Sequence, residues 1–249
     1  MPDADDKQWR FVAPARPRVG QTLTLRPDQS HHLAEVLRLS EGRSVRVFTG
    51  AGEEFEGVVR KADPEASTVH IRRRLRAEDA AGMDITVGFA PPRGSRSDWL
   101  VEKATELGAR RLVPLLCERL ERFPVEKAQK RRERWERKAE EAAKQSERTV
   151  IPSIEEPAPL GRFAGACGAP LRLACHADPD VKGLWATLQD MDEVPAAVAV
   201  AIGPGGGFTD RELALLGRAE WQFVALGPTT LRTETAAVVA LGCFVARGG

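Results

Sequence analysis

Between residues 10 and 76 the apolar positions recur at every second residue in short runs divided by glycine turns. QTLTL (21–25) alternates. SVRVF (44–48) follows the turn Ser40-Glu41-Gly42, and EEFEGVVRKA (53–62) follows Gly50-Ala51-Gly52. STVHIRRRL (67–75) alternates again, with Val69 and Ile71 on one face and His70, Arg72 and Arg74 on the other. A period of two is the mark of a half-buried strand. One short helix, roughly Asp28 to Arg38, interrupts the series. The pattern predicts a small β-barrel type of unit over residues 1–76, an architecture whose faces and loops often bind nucleic acid. The polar stretch 77–83 reads as a linker.

From residue 84 the rhythm changes to alternating strand and helix, which predicts an α/β domain over 84–249. Strand-like runs are ITVGFA (85–90), RLVPLL (111–116), LRLAC (171–175), AAVAVAIG (196–203) and QFVALG (222–227). The run 196–203 is apolar throughout, as a parallel strand covered on both faces should be. Ser97 is expected to cap a helix from Asp98 to Leu107, with Gly108 as its stop. A second helix is predicted over 125–148, where Ala128, Trp135, Ala139 and Ala142 share a face. Thr209 and Glu212 have capping-box spacing for a third, and a fourth follows Thr233.

Composition narrows the class. With 42% hydrophobic and 29% charged residues in 249, the chain is neither disordered nor membrane-spanning in character. The acidic start MPDADDKQWR is no secretory signal, and Cys117, Cys167, Cys175 and Cys243 are too scattered for a zinc site or disulfide frame. These features predict a cytoplasmic protein that binds no membrane and no metal. Net charge is +1, yet residues 110–149 hold 13 Lys/Arg against 8 Asp/Glu, whereas 150–249 hold 7 against 11. That asymmetry could seat RNA on one face, but on charge alone a solvated helix of paired charges over 125–148 is the preferred reading.

The chemistry concentrates in two segments. In AIGPGGGFTDRE (201–212) a buried strand runs into a glycine turn and then a capped helix, so backbone N–H and C=O groups can approach a ligand closely. A P-loop would need Lys-Ser/Thr after its last glycine and this segment has Phe208-Thr209, which excludes nucleotide hydrolysis. A dinucleotide fingerprint would need glycine where Phe208 stands. Alone, the segment would be a tight structural turn. LGPTTLRTETA (226–236), however, repeats the arrangement. Arg232, Thr233, Glu234 and Thr235 are more polar groups than capping one helix requires. Two such loops at the carboxyl ends of parallel strands form the ligand crevice of an open α/β sheet.

These segments, with HHLAEVLR (31–38), RGSRSDWLVEKATELGA (93–109), PLLCERL (114–120) and QSERTVIP (145–152), resemble the RsmE family. Its members are small-subunit rRNA uracil-N3 methyltransferases of the SPOUT (trefoil-knot) superfamily. The resemblance implies a PUA-like N-terminal domain and a knotted C-terminal domain with a parallel sheet that binds S-adenosylmethionine. It implies a homodimer with its site at the subunit interface, and 16S ribosomal RNA as substrate. It places the cofactor on His176, on Ile202 with Gly203, Pro204, Gly205 and Gly206, and on Leu226, Gly227, Leu231, Arg232, Thr233 and Thr235. The family turn usually reads Gly-Pro-Glu-Gly-Gly, so Gly205 stands here for a glutamate, and Arg96 stands where lysine is common.

Uracil N3 becomes nucleophilic only as its proton leaves, so an enzyme must orient the ring and stabilise developing negative charge. Arg232 suits that electrostatic role. Glu234 is a candidate base or an orienter of Arg232, or else a carboxylate favoured by a helix dipole. Arg38, Arg93, Arg96, Arg119 and Arg148 are the candidate phosphate contacts. Two alternatives remain at this stage: a SPOUT methyltransferase for another RNA or base, and a catalytically silent RNA-binding homologue.

Overall fold

The computed structural model describes residues 9–77, 82–120, 128–178 and 180–248, and the chain divides into two compact units. Residues 78–81 of the expected linker and 125–127 of the expected second helix lie outside that range.

The first unit comprises the N-terminal region to Ala80 together with Ala143–Ile151. Its strands are β1 (Arg10–Val12), β2 (Thr22–Thr24), β3 (Ser44–Phe48), β4 (Glu53–Lys61) and β5 (Thr68–Ala77), in the sheet order β1-β3-β4-β5-β2. Phe11, Leu23, Val45, Val47, Phe55, Val59, Val69 and Ile71 draw all five strands into one core. Both edges therefore wrap the same apolar cluster, and the sheet curls into a half-barrel without closing. Register shifts between β4 and β5 at Glu54/Phe55, Glu56/Gly57 and Val59/Lys61 supply bends that favour curling.

The expected helix from Asp28 to Arg38 is shorter and changes character. Helix α1 (Pro27–His31) passes into a π-turn over His32–Val36, and Arg38 sits at φ 51. Proline at the helix start sets the entry, while the left-handed backbone at Arg38 ends the helical path.

An ion pair lies inside this unit. The side chain of Arg10 is 4% exposed and that of Glu54 is 0%, and Arg10 Nε donates to Glu54 Oε1 at 2.8 Å. Arg10 Nη1 donates to the carbonyls of Ala143 (2.8 Å) and Lys144 (3.3 Å), and Nη2 to that of Arg148 (3.0 Å). Its guanidinium carbon stands 4.5 Å from the centroid of the Phe48 ring. One arginine thus satisfies two carbonyls in the last turn of the helix Ala128–Gln145, groups left without partners at any helix C-terminus, and a third just beyond it. Burial pulls its pKa below the ordinary value, against the attraction of Glu54.

The second unit is α/β. Its parallel sheet runs β12 (Gln222–Val224), β10 (Leu171–Cys175), β11 (Ala197–Ile202), β6 (Asp84–Phe89), β7 (Ala109–Leu116) and β8 (Ser153–Ile154), with β9 (Ala158–Pro159) also pairing β7. Ala199 and Ala201 of β11 join the cluster formed with α4 (Leu160–Ala166) and α6 (Asp210–Arg218). Val198, Val200 and Ile202 are equally buried and alternate to the other face, where α7 (Thr233–Gly248) packs with α2 (Arg96–Glu106) and α5 (Leu184–Gln189). Helices on both faces explain why this strand carries no polar residue.

Register places the site. Cys175 pairs Ile202 and Val224, and Ile202 pairs Phe89, so four strands end level and their following loops emerge side by side. Helix α3 (Ala128–Gln145) buries Trp135, Ala139 and Ala142, with Trp135 edge-on to Phe89 at 5.8 Å. Ser97 is not the cap of α2. The helix begins at Arg96, and the Ser97 hydroxyl turns back to donate to the Pro92 carbonyl. No helix among the described residues is long and apolar enough to cross a membrane.

Candidate active site

The loops at the carboxyl ends of β10, β11 and β12 enclose a cleft of about 340 Å³. Its wall includes His176, Ile202, Gly203, Pro204, Gly205, Gly206, Leu226, Gly227, Leu231 and Thr233, each an expected cofactor residue. Gly203, Gly205, Gly206 and Gly207 of the turn over 203–207, with Gly227, leave part of the wall to backbone. Gly207 closes that turn by donating its N–H to the Pro204 carbonyl at 2.8 Å. Gly207 at φ 72 and Gly227 at φ 143 occupy backbone conformations that side chains resist. The Thr233 hydroxyl donates to the Gly203 carbonyl at 2.9 Å and ties the two loops together.

A second cavity of about 400 Å³ adjoins the first. Arg93, Arg96, Arg119 and Arg232 line it, and Glu234 is the only acid lining either cavity among the described residues. Arg119, Pro204, Gly205, Gly206 and Thr233 belong to both walls. Glu234 sits in the first turn of α7 with a side chain 9% exposed. Its Oε1 lies 3.8 Å from Arg96 Nη1, and its Oε2 is buried with no hydrogen-bond partner. A buried carboxylate oxygen without a partner is uncommon and costly unless something else supplies a donor.

A capping box opens α6 directly after the glycine turn. Thr209 Oγ1 accepts from the Glu212 N–H at 3.2 Å, while Glu212 Oε2 accepts from the Thr209 N–H at 2.8 Å, as the sequence spacing predicts. Burial beside Glu212 pushes the Cys117 thiol up to about 12, and burial near Cys243 pushes Cys175, in the cleft wall, up to about 12. Both are neutral thiols at neutral pH, and the site has no thiolate nucleophile from either.

Among the remaining expected residues, Thr235 is exposed and lines neither cavity. Arg38 is exposed in the first unit and Arg148 is partly buried there. Thr229, Thr230, Phe208 and Ala236 line the cleft unforeseen, although the threonines stand inside the segment 226–236. Pro91 and Pro92 line the second cavity, and a Pro-Pro break after a predicted strand was the signal for them. A larger hollow of about 630 Å³ lies among the starts of β6 and β11 and residues Arg111 and Arg162. That is the wrong end of a parallel sheet for a ligand crevice.

Comparison with known proteins agrees with this geometry. The RNA methyltransferase domain family matches residues 78–245, and the RNA methyltransferase PUA domain family matches residues 25–72. The ribosomal RNA small subunit methyltransferase E of Synechocystis is 34% identical over 94% of this chain and 76% of its own length. A Legionella pneumophila protein described as a methyltransferase, solved with the cofactor SAM bound, superposes with a TM-score of 0.87 at 31% identity, covering 96% of this chain and 98% of that one. The ribosomal RNA small subunit methyltransferase E of Neisseria gonorrhoeae, bound to S-adenosyl methionine, gives 0.84 at 26% identity, over 94% and 95% of the two chains. Matched through both units and nearly from end to end, the chain belongs to the RsmE family, the ribosomal RNA small subunit methyltransferases E.

Proposed function

We propose that the chain transfers a methyl group from S-adenosylmethionine to N3 of a uridine in small-subunit (16S) ribosomal RNA. The observation that carries this reading is the shared wall. A backbone-lined cleft of about 340 Å³, within the size range of cofactor pockets, opens beside an arginine-lined cavity of about 400 Å³. The residues fit the cofactor. Glycine and apolar groups of the two loops offer N–H and C=O partners for an adenine edge without side-chain obstruction, and Ile202, Leu226 and Leu231 offer apolar contact. When bound, the cofactor supplies an electrophilic methyl on a sulfonium.

The chain's own residues do the rest. Arg93 and Arg96 draw the RNA strand to the second cavity, with Arg38 and Arg148 as further phosphate contacts from the first unit. The Glu234 carboxylate, which lines that cavity, accepts the N3 proton. Arg232 stabilises the negative charge that spreads onto the uracil oxygens. N3 then bonds to the methyl carbon as the S–C bond breaks, leaving the electron pair on sulfur. Gly205 takes no part. A Cβ there meets nothing within 4 Å, so the loop keeps its shape without the glutamate common in relatives.

Calorimetry tests the cleft. S-adenosylhomocysteine should bind the purified chain without RNA, and Gly206→Leu should abolish that binding. A Cβ at 206 makes only an ordinary 3.6 Å contact with Arg119, so the fold should survive. Undiminished affinity in that variant would remove the cofactor from this cleft.

The proposal extends to a homodimer in the cytoplasm. Trp99 (42% exposed), Trp185 (42%) and Val245 (49%) are large apolar groups left uncovered on α2, α5 and α7, helices that pack together. A second copy would cover them. Sedimentation at micromolar concentration should give twice the 27.2 kDa chain mass, and a monomer alone would contradict this arrangement.

A further inference from the structure

We infer that Arg119 is a positioning residue for the cofactor loop rather than a contact to RNA phosphate. The inference rests on the proposed cofactor cleft. The glycine turn over 203–207 has almost no side chains with which to hold itself, and glycine loses more conformational freedom on ordering than any other residue. Something outside the turn must set its shape. Arg119 Nη1 donates to the Gly206 carbonyl at 2.7 Å and to the Phe208 carbonyl at 3.4 Å. The first is a short bond from a charged donor, of the stronger kind.

The arginine is itself held in place. It follows β7 in a tight turn in which the Leu120 N–H donates to the Cys117 carbonyl at 3.0 Å. The Glu118 N–H donates to Glu212 Oε1 at 2.8 Å, and the Thr209 hydroxyl donates to Glu118 Oε2 at 3.0 Å. Glu212 is buried and bridges backbone amides from both segments. The turn after β7 is therefore latched to the start of α6, which fixes the guanidinium over the glycine turn. Arg119 also lines both cavities, so a change in the turn's shape is felt on the cofactor side and on the base side together.

Three variants test this: Arg119→Ala, Arg119→Gln and Arg119→Lys. Each is titrated with S-adenosylhomocysteine without RNA, and then assayed for turnover and for RNA binding over a range of salt. A loop-holding role predicts that Arg119→Ala weakens RNA-free cofactor binding roughly tenfold to a hundredfold, the loss of one charge-assisted hydrogen bond. KM for the cofactor should rise more than kcat falls, and the melting temperature should stay unchanged. Arg119→Gln and Arg119→Lys each keep a hydrogen-bond donor group and should recover part of the affinity, the neutral glutamine included. A phosphate contact predicts the reverse: unchanged cofactor affinity, weaker RNA binding and a shallower salt slope by about one. That result, with a wild type that binds the cofactor normally, would overturn the inference alone. A wild type that binds no cofactor would overturn the reading beneath it as well.

Discussion

Replacing Arg10 with alanine should cost the protein about 3–5 kcal/mol of stability, the usual consequence of stripping one partner from a buried ion pair. Glu54 would stay fully buried with only the more distant guanidinium groups of Arg46 (3.4 Å) and Arg76 (3.0 Å) to face it. The carbonyls of Ala143, Lys144 and Arg148 would each lose a donor. Arg10→Lys should be intermediate, because an ammonium cannot span the carboxylate and three carbonyls at once. Urea unfolding of the three proteins measures this directly. A loss under about 1 kcal/mol, the worth of an exposed pair, would mean that the pair contributes little beyond what water would supply.

The same residue explains why the first strand was not legible in the sequence. Arg-Phe-Val at 10–12 is buried at every position, but an arginine does not read as core. Its compensation comes from Glu54 and from carbonyls more than 130 positions away. No local window contains both halves of that arrangement. The other omissions are of length. Strands β8 and β9 have two residues each and show no period. Helix α4 carries two glycines in seven residues and α5 has only six, too weak for propensity to mark. Strands β3 and β10, by contrast, span the residues their patterns predict, because alternation or uniform apolarity matches what each face packs against.

The candidate site divides in the same way. Glycine turns after buried strands can be read directly, since backbone conformation is written in residue type, and the cleft wall contains nearly all the residues expected from the loops. What side chains do there could not be read. Arg119 reads in the sequence as one of five candidate phosphate contacts, and its hydrogen bonds to the Gly206 and Phe208 carbonyls appear only in the structure. The buried oxygen of Glu234 without a hydrogen-bond partner likewise depends on packing that the sequence does not state.

Arg232→Ala should reduce the rate of methyl transfer roughly 10²–10³-fold, the usual loss on removing one preorganised donor to developing charge. Cofactor affinity should change little, because Arg232 lines the second cavity and not the cleft. Glu234→Gln separates two roles. If the carboxylate takes the N3 proton, the rate falls and then rises more steeply with pH, as hydroxide takes over the deprotonation. If it only orients neighbouring arginines, the glutamine variant stays active, and the double variant is little worse than Arg232→Ala alone. Single-turnover rates against pH for the three variants decide between them. A near wild-type rate for Arg232→Ala would move the chemistry away from this cavity.

Methyl transfer to uracil N3 in small-subunit rRNA is seen most directly in its product. Small ribosomal subunits and their naked rRNA, prepared from a strain lacking the gene, are incubated with the purified protein and isotope-labelled S-adenosylmethionine, then digested to nucleosides for mass spectrometry. One labelled nucleoside, N3-methyluridine, is expected in at least one of the two substrates. Label in a different nucleoside, or none in either substrate, would contradict it.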